Sequence, residues 1–286
     1  MTVYPFSFHI GPLAITGFGL MVMAGFMMAG WTMARDLRGR GMGDQYAWDI
    51  VVAAVVGGIL GAKLYYWALY PSWHSLLSRS GLVWYGGLIG GAAAVIFNGW
   101  RLKVPLRLTL NVATPGLAVG YALGRVGCFL VQDDYGVPTS LPWGMKFPEG
   151  LPPSTAGNLA RWGIEVPPDV SPFEVLAVHP TQLYETAAML IVFALLWRWR
   201  HSPHAMGWLF GVYLVLYGAE RFLVEFIRAK DDRFLGGFTL AQLVSFAAVA
   251  LGIYLAARWW KRDDFSVEGV KALAPLPAAP RARRKP

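Results

Sequence analysis

AWDIVVAAVVGGILGAKLYYWALY, residues 47–70, is apolar for long enough to cross a lipid bilayer as one helix. A bilayer's hydrocarbon core is about 30 Å thick, so a helix rising ~1.5 Å per residue needs about 20 apolar residues to span it. Runs of the same kind recur to either side, at Gly11–Met33, Leu82–Trp100, Leu108–Leu130, Thr181–Trp197, Ala205–Phe226 and Thr239–Trp260. Together these predict an all-α integral membrane protein with about seven transmembrane helices. Tryptophans and tyrosines gather near the run ends (Trp31, Tyr70, Trp73, Trp84, Trp100, Trp197, Trp199, Trp259, Trp260), as an interfacial belt requires.

Composition agrees. Of 286 residues, 56% are hydrophobic and 15% charged, against about 25% charged in soluble domains. The net charge is +8 and the pI about 9.7. In a soluble chain that would suggest nucleic acid, but here the basic residues sit between apolar runs, where they orient helices and meet anionic membrane lipids. No nucleic-acid partner is expected. The single cysteine, Cys128, excludes an intrachain disulfide and a cysteine-based zinc site. No Lys or Arg precedes the first apolar run, so the first helix is expected to be retained rather than cleaved as a signal peptide.

Orientation follows from the basic residues. With the N-terminus outside and the C-terminus in the cytoplasm, 16 of the 25 Lys and Arg fall inside, 6 outside and 3 within spans, which satisfies the positive-inside rule. The inside set is Arg35, Arg38, Arg40, Arg101, Lys103, Arg107, Arg198, Arg200, Arg258, Lys261, Arg262, Lys271, Arg281, Arg283, Arg284 and Lys285; the outside set is Arg79, Lys146, Arg161, Arg228, Lys230 and Arg233. Residues 1–262 then form one membrane domain. Within it, 132–180 reads as a small structured extracytoplasmic cap between spans four and five: it is rich in Pro, Gly and acids, yet Trp143, Phe147 and Trp162 make it too apolar for simple disorder. Residues 263–286 read as a basic, disordered cytoplasmic tail. Glycine pairs at four-residue spacing (Gly57/Gly61, Gly86/Gly90, Gly87/Gly91, Gly120/Gly124) predict close helix packing. No repeat relates two halves, which argues against a transporter built from inverted repeats.

Three basic residues lie inside apolar runs, Lys63, Arg125 and Arg221. A charge at mid-span costs about 2.5–3.5 kcal/mol on insertion scales, so such residues are usually paired or functional. Lys63 lies close enough to its helix end to snorkel to the interface. In YGAERFLVEFIR, Tyr217, Arg221, Glu225 and Arg228 are spaced to lie along one helix face. That face is either a buried ion ladder or an anion clamp, because the planar guanidinium grips phosphate bidentately. HPTQLYE opens the fifth span and recurs His179, Gln182 and Glu185 every three residues, either as a capped helix start or as part of a site. WYGGLIGG sets Tyr85 before Gly86 and Gly87, either as an interfacial anchor or where a ligand meets bare backbone. These three strings, and GRVGCFLVQDDYG around Arg125, fall toward the outer ends of their helices. A cationic pocket there in an apolar bundle suits an anionic phospholipid.

At these strings the sequence resembles the prolipoprotein diacylglyceryl transferases, bacterial inner-membrane enzymes that lipidate lipoprotein precursors. GRVGCFLVQDDYG resembles the family signature GRxGNFxNxExxG, HPTQLYE its HPxQLYE, and YGAERFLVEFIR its YxxxRxxxExxR. WYGG falls at the HGG position and GAKLYY at GxRxxY, and the likeness runs from HIGPLAI through every span. The resemblance implies transfer of the diacylglyceryl group of phosphatidylglycerol to the lipobox cysteine thiol in a prolipoprotein signal peptide, with glycerol phosphate leaving. It implies no cofactor and no metal. It makes Arg125 and Arg221 the essential arginines. It draws Lys63, Gly86, Gly87, Cys128, Asp133, Gly136, His179, Gln182, Glu185, Tyr217, Glu225 and Arg228 into substrate binding.

The departures are specific. Cys128 stands for the signature Asn, Asp133 for a Glu, Tyr85 for the His proposed as base, Phe18 for a Tyr and Lys63 for an Arg. The arginines are kept, but the base is left open among Tyr85, His179, Asp133, Glu225 and none at all. Cys128 in an Asn position points to packing or binding rather than covalent chemistry. A transferase with another acceptor, and a phospholipid transporter or scramblase, are the rival readings.

Overall fold

The computed structural model describes residues 1–286 apart from Pro12, 78–80, 230–232, Gly236, Asp264 and 276–286, and gives the backbone alone for Ile10, Leu13, Leu77 and 233–235. Arg79 and Lys230 of the outer charge tally, and Arg281, Arg283, Arg284 and Lys285 of the tail, lie outside the described residues.

Long helices stand at each of the seven apolar runs: α1 (Gly17–Gly39), α2 (Gln45–Leu69), α4 (Trp84–Arg101), α5 (Leu106–Val131), α7 (Thr181–Trp199), α8 (Trp208–Val224) and α9 (Leu240–Arg258). The short α3 (Trp73–Leu77) and α6 (Ala156–Arg161) lie between them. Four of the described helices, α1, α2, α5 and α9, are long and apolar enough to cross a membrane by length and composition. Their exposure pattern is that of a lipid-facing protein. Val52, Val56, Ile59, Leu60 and Leu64 of α2 and Val244, Leu251 and Ile253 of α9 are exposed, while Asn111, Thr114, Arg125, Gln182 and Glu185 are buried. In water this inverted distribution would be unstable; in lipid it satisfies both sides.

One expectation at the first span is corrected. Residues 11–16 are not helical: β1 (Ser7–Ile10) and β2 (Leu13–Thr16) form an antiparallel hairpin with Ser7 opposite Thr16, turning at Gly11 (φ +58°). The helix begins only at Gly17 and runs on to Gly39. Apolar residues in a hairpin of four-residue strands carry no helical period, so hydropathy alone merged them with the span.

The chain divides into two compact units, Met1–Ala29 with Ala113–Asp263, and Gly30–Val112 with Asp264–Pro286. In the second, α2 and α4 pack glycine to glycine. A Cβ on Gly57 would stand 2.6 Å from the Gly90 carbonyl oxygen, and one on Gly90 2.7 Å from the Gly61 Cα. That closeness is what the four-residue spacing predicts. The C-terminal segment also belongs here: Gly43 N donates to Leu273 O (2.8 Å), Leu273 is 4% exposed, and Arg107 lies over the Phe265 ring. Residues 265–275, the part of the 263–286 tail that is not basic, are thus tied down by the buried Leu273 and a backbone bond.

In the first unit, Ala118 and Ala122 of α5, Met189, Val192 and Leu196 of α7, and Leu209 and Tyr213 of α8 make one buried cluster. Helix α9 starts with a capping box between Thr239 and Gln242 and packs against α8, where a Cβ on Gly252 would meet Gly211 O at 2.7 Å. The stretch 132–180 is structured around its own core of Tyr135, Phe147, Leu159 and Val178. Backbone bonds tie it up: Met145 and Val178 exchange N–H···O bonds (3.0 and 2.9 Å), and His179 N donates to Val137 O (3.0 Å).

Candidate functional site

Helix α5 runs through GRVGC to Val131, and one face carries Tyr121 and Arg125 four residues apart. Across from them α7 presents Glu185, 1% exposed. Arg125 Nη2 donates to Glu185 Oε1 (2.9 Å), its Nε faces Glu185 Oε2, and Tyr121 donates its O–H to the same Oε2 (2.7 Å). Two parallel N–H···O contacts on one carboxylate fix the guanidinium plane. Breaking a buried pair of this kind by removing one partner costs about 3–5 kcal/mol, because a bare charge stays behind.

The second tether of Arg125 is Asp134. Its Oδ2 accepts from Arg125 Nη1 (2.9 Å) and its Oδ1 from Arg228 Nη2 (2.5 Å). Asp134 thus bridges two guanidiniums while its side chain stays 39% exposed. Burial alone would raise the Asp134 pKa, but Arg228 and then Arg125 hold it below the usual carboxylate range. Asp133, the acid that the signature singles out, is placed otherwise. Its carboxylate faces the Cys128 thiol, its backbone carbonyl accepts from Gln182 Nε2 (2.5 Å), and burial with the like charge of Asp134 raises its pKa. Arg125 Nη1 also reaches Cys128 Sγ (3.4 Å). Cys128, Asp133 and Asp134 offer ligand atoms within 4.8 Å of one another, yet both Asp134 oxygens are taken by arginines, a charge environment that opposes a metal ion.

Arg221, Glu225 and Arg228 do meet, but not on one continuous α-helical face as expected. Helix α8 ends at Val224, Glu225–Ile227 tightens into a 3₁₀ turn, and Arg228 is extended (φ −75°, ψ 141°). Arg221 Nη1 lies 2.6 Å from Glu225 Oε2, whereas Arg228 Nε is 3.9 Å from it. The extended backbone lets Arg228 pair with Gly136 as an antiparallel bridge, which carries its guanidinium to Asp134 instead. Gly136 is needed for space: a Cβ there would meet Ile227 O at 2.5 Å, His179 Cβ at 2.8 Å and Thr181 Cγ2 at 2.8 Å. Thr181 Oγ1 donates to the Asp134 carbonyl (2.7 Å), locking the start of α7 to the same loop.

His179 is set apart from the arginines. Its backbone joins the Gly136–Val137 strand, while its ring nitrogen contacts the Tyr184 hydroxyl (3.2 Å), which also accepts from Trp143 Nε1 (2.7 Å). Burial lowers the His179 pKa. Tyr217 packs edge-on against Tyr121 (5.5 Å between ring centroids). Lys63, Tyr85, Gly86 and Gly87 belong to the second unit. There Tyr85 is 44% exposed beside Trp84, and Gly86 lets α2 approach, since a Cβ on it would stand 2.4 Å from Gly61 O, whereas one on Gly87 would make only ordinary contact with Gly58 O at 3.5 Å.

The sequence reading passed over Tyr121, Asp134, Thr181 and Glu220. Tyr121 was detectable as the residue one turn before Arg125, and Asp134 as the second acid of QDDYG. Arg125, Arg221 and Arg228 are therefore already matched by Glu185, Asp134 and Glu225, and the cluster is an ion network rather than a bare cationic patch.

The family described as prolipoprotein diacylglyceryl transferase matches residues 5–258. The chain is similar to the phosphatidylglycerol–prolipoprotein diacylglyceryl transferase of Nitrosomonas europaea, 32% identical, covering 96% of this chain and 95% of the relative. It is likewise similar to the enzyme of that name from Cupriavidus pinatubonensis, 32% identical over 92% of this chain and 94% of the relative.

Proposed function

We propose, from the premise that this chain belongs to the prolipoprotein diacylglyceryl transferase family, that it moves the diacylglyceryl group of phosphatidylglycerol onto the lipobox cysteine of prolipoproteins. The products are a thioether and glycerol phosphate. The single observation that carries the reading at the level of residues is the Arg125–Asp134–Arg228 bridge. Asp134 is an anion held between two guanidiniums and more exposed than the acids around it. A phospholipid phosphate has the charge and the acceptor oxygens to take its place, and arginine donates to phosphate bidentately.

The chemistry asks for little else. A thiolate is the nucleophile, so the acceptor S–H must lose its proton. Its sulfur attacks the glyceryl carbon next to the phosphate, and the C–O bond breaks with its electron pair passing to the phosphate oxygen. The phosphate gains a negative charge as it leaves. Guanidiniums already fixed by Glu185 and Glu225 stabilise that charge without rearranging. Arg125, Arg221 and Arg228 act on the phosphate, Gly136 gives the loop room beside them, and Gln182 and Cys128 position Asp133 and Arg125. The family likeness assigns Tyr85, Gly86, Gly87 and Lys63 of the second unit to lipid binding, and His179 supports the loop.

The same reading makes the chain a seven-span inner-membrane protein, residues 1–262 acting as one domain, N-terminus outside, with 132–180 as the cap on the periplasmic side where signal peptides emerge. Purified protein incubated with phosphatidylglycerol and a lipobox peptide tests it. The peptide gains the mass of one diacylglyceryl group, and a Cys→Ser peptide does not. Lipid movement between leaflets with no peptide product would instead favour a scramblase.

A further inference from the structure

The reaction needs a group to take the acceptor's thiol proton, and the acids of the arginine cluster are mostly committed. Glu185 accepts from Tyr121 and Arg125, Glu225 from Arg221, Asp134 from Arg125 and Arg228, and Asp133 from the Cys128 thiol. Glu185, Asp134 and Glu225 each lie against an arginine they would have to surrender, and Asp133 keeps one carboxylate oxygen on the Cys128 thiol. Glu220 is different. It directly precedes Arg221 on α8, both of its carboxylate oxygens are shielded from solvent, and neither has a hydrogen-bond partner among the described residues. A shielded carboxylate without donors is costly to keep charged, and accepting a proton removes that cost.

Its surroundings connect it to the site. Tyr213, Tyr217 and Glu220 fall on one face of α8 at i, i+4 and i+7. Tyr217 packs on Tyr121, whose hydroxyl bonds Glu185. The charges acting on Glu220 are Glu185 of α7, Arg221 of its own helix and Arg125 of α5, and the hydroxyls within its field are those of Tyr121, Tyr213 and Tyr217. Two carboxylates thus share the cluster. One is clamped by an arginine; the other has nothing to lose by accepting a proton.

We infer that Glu220 is the general base of the transfer, accepting the lipobox thiol proton from within the arginine cluster. The inference rests on the transferase reading above. The S–H proton passes to the Glu220 carboxylate, and the thiolate forms the C–S bond as the C–O bond to phosphate breaks. Glycerol phosphate departs as the dianion. The proton on Glu220 then leaves to that phosphate or to water, restoring the carboxylate.

The test compares wild type with Glu220→Gln, using phosphatidylglycerol vesicles and two lipobox peptides, one with cysteine and one with selenocysteine, whose selenol ionises without help at neutral pH. With the cysteine peptide, E220Q should lose about 10²–10⁴-fold in kcat, the usual yield of general-base catalysis, with KM for phosphatidylglycerol within about threefold. With the selenocysteine peptide it should return to within about tenfold of wild type. A thiol kcat within about threefold of wild type, or an equal loss on both peptides, overturns the assignment. If E220Q does not fold, wild type alone decides: the acid limb of kcat against pH should shift when selenol replaces thiol, and a limb indifferent to the acceptor overturns it. A wild type that makes no product from either peptide defeats the transferase reading itself, whereas an active wild type with an indifferent E220Q defeats only the role of Glu220.

Discussion

Gly136→Ala adds one methyl group at the point where the loop after α5 meets the arginine segment. The new Cβ would lie 2.5 Å from Ile227 O, 2.8 Å from His179 Cβ and 2.8 Å from Thr181 Cγ2. Real contacts of this kind sit well beyond 3 Å, so two strands of backbone must part by several tenths of an ångström. Both are fastened. Val137 N bonds Ile227 O (2.9 Å), Gly136 N bonds His179 O (2.8 Å) and Ala229 N bonds Tyr135 O (3.2 Å). Overpacking of this sort costs about 1–3 kcal/mol. Whichever side yields, a site member moves with it, Arg228 on one and Thr181–Gln182 on the other. Since misplacement by ~1 Å can cost about 10²-fold in rate, kcat/KM should fall by roughly 10- to 100-fold, more than the stability change alone explains. Gly124→Ala is the internal control, since a Cβ there meets nothing within 4 Å and a helical Gly→Ala change favours the helix by up to ~1 kcal/mol. Thermal unfolding in detergent and the transfer assay on both variants check the argument. A Gly136→Ala protein with unaltered unfolding midpoint and rate would refute it.

Arg221→Lys should fold and lose most activity, because an ammonium cannot keep both Glu225 (2.6 Å) and a phosphate in one plane; near-normal turnover would return Arg221 to a purely structural ladder. Cys128→Ala and Cys128→Asn should both retain substantial activity, since the thiol's contacts are with Arg125 and Asp133 and the mechanism forms no bond to it; two inactive but well-folded variants would make its sulfur a nucleophile. The Asp134 pKa is depressed on folding, so its stabilising effect is complete above the ordinary aspartate value of about 3.9 and disappears as pH falls through the lower folded value. Unfolding midpoints of wild type and Asp134→Asn should therefore differ at neutral pH and converge below pH ~4; parallel curves down to strong acid would dismiss the bridge as a stabilising contact.

Helical architecture was legible because it is written in hydropathy, which survives without tertiary knowledge. The helices from α2 onward match their apolar runs to within a few residues, because the length of a long apolar run is read directly from the sequence. What hydropathy could not separate was the Ser7–Thr16 hairpin, where short apolar strands abut an apolar helix. Site residues were legible as strings but not as partnerships. Helical spacing placed Glu225 on Arg221, yet the 3₁₀ turn that hands Arg228 to Asp134 depends on pairing with Gly136, a contact 92 residues away in the chain. For the same reason Asp133 drew attention where Asp134 takes the arginines. Two adjacent acids are equivalent on paper, and the turn of the loop, left-handed at both Gln132 (φ 62°) and Asp134 (φ 59°), is invisible in the string. Glu220 was hidden by its neighbours, since its distinction is a lack of partners.

Group transfer at these arginines leaves a chemical trace that lipid binding and lipid movement do not. The most direct measurement is the ratio of the two products in one reaction: thioether-linked peptide by mass spectrometry, and glycerol phosphate released from phosphatidylglycerol labelled in its head group. The account predicts that both appear together at one to one, only when the cysteine peptide is present, and that both fall together in Arg125→Lys. Glycerol phosphate released without thioether, or labelled lipid crossing the bilayer with neither product formed, would contradict it.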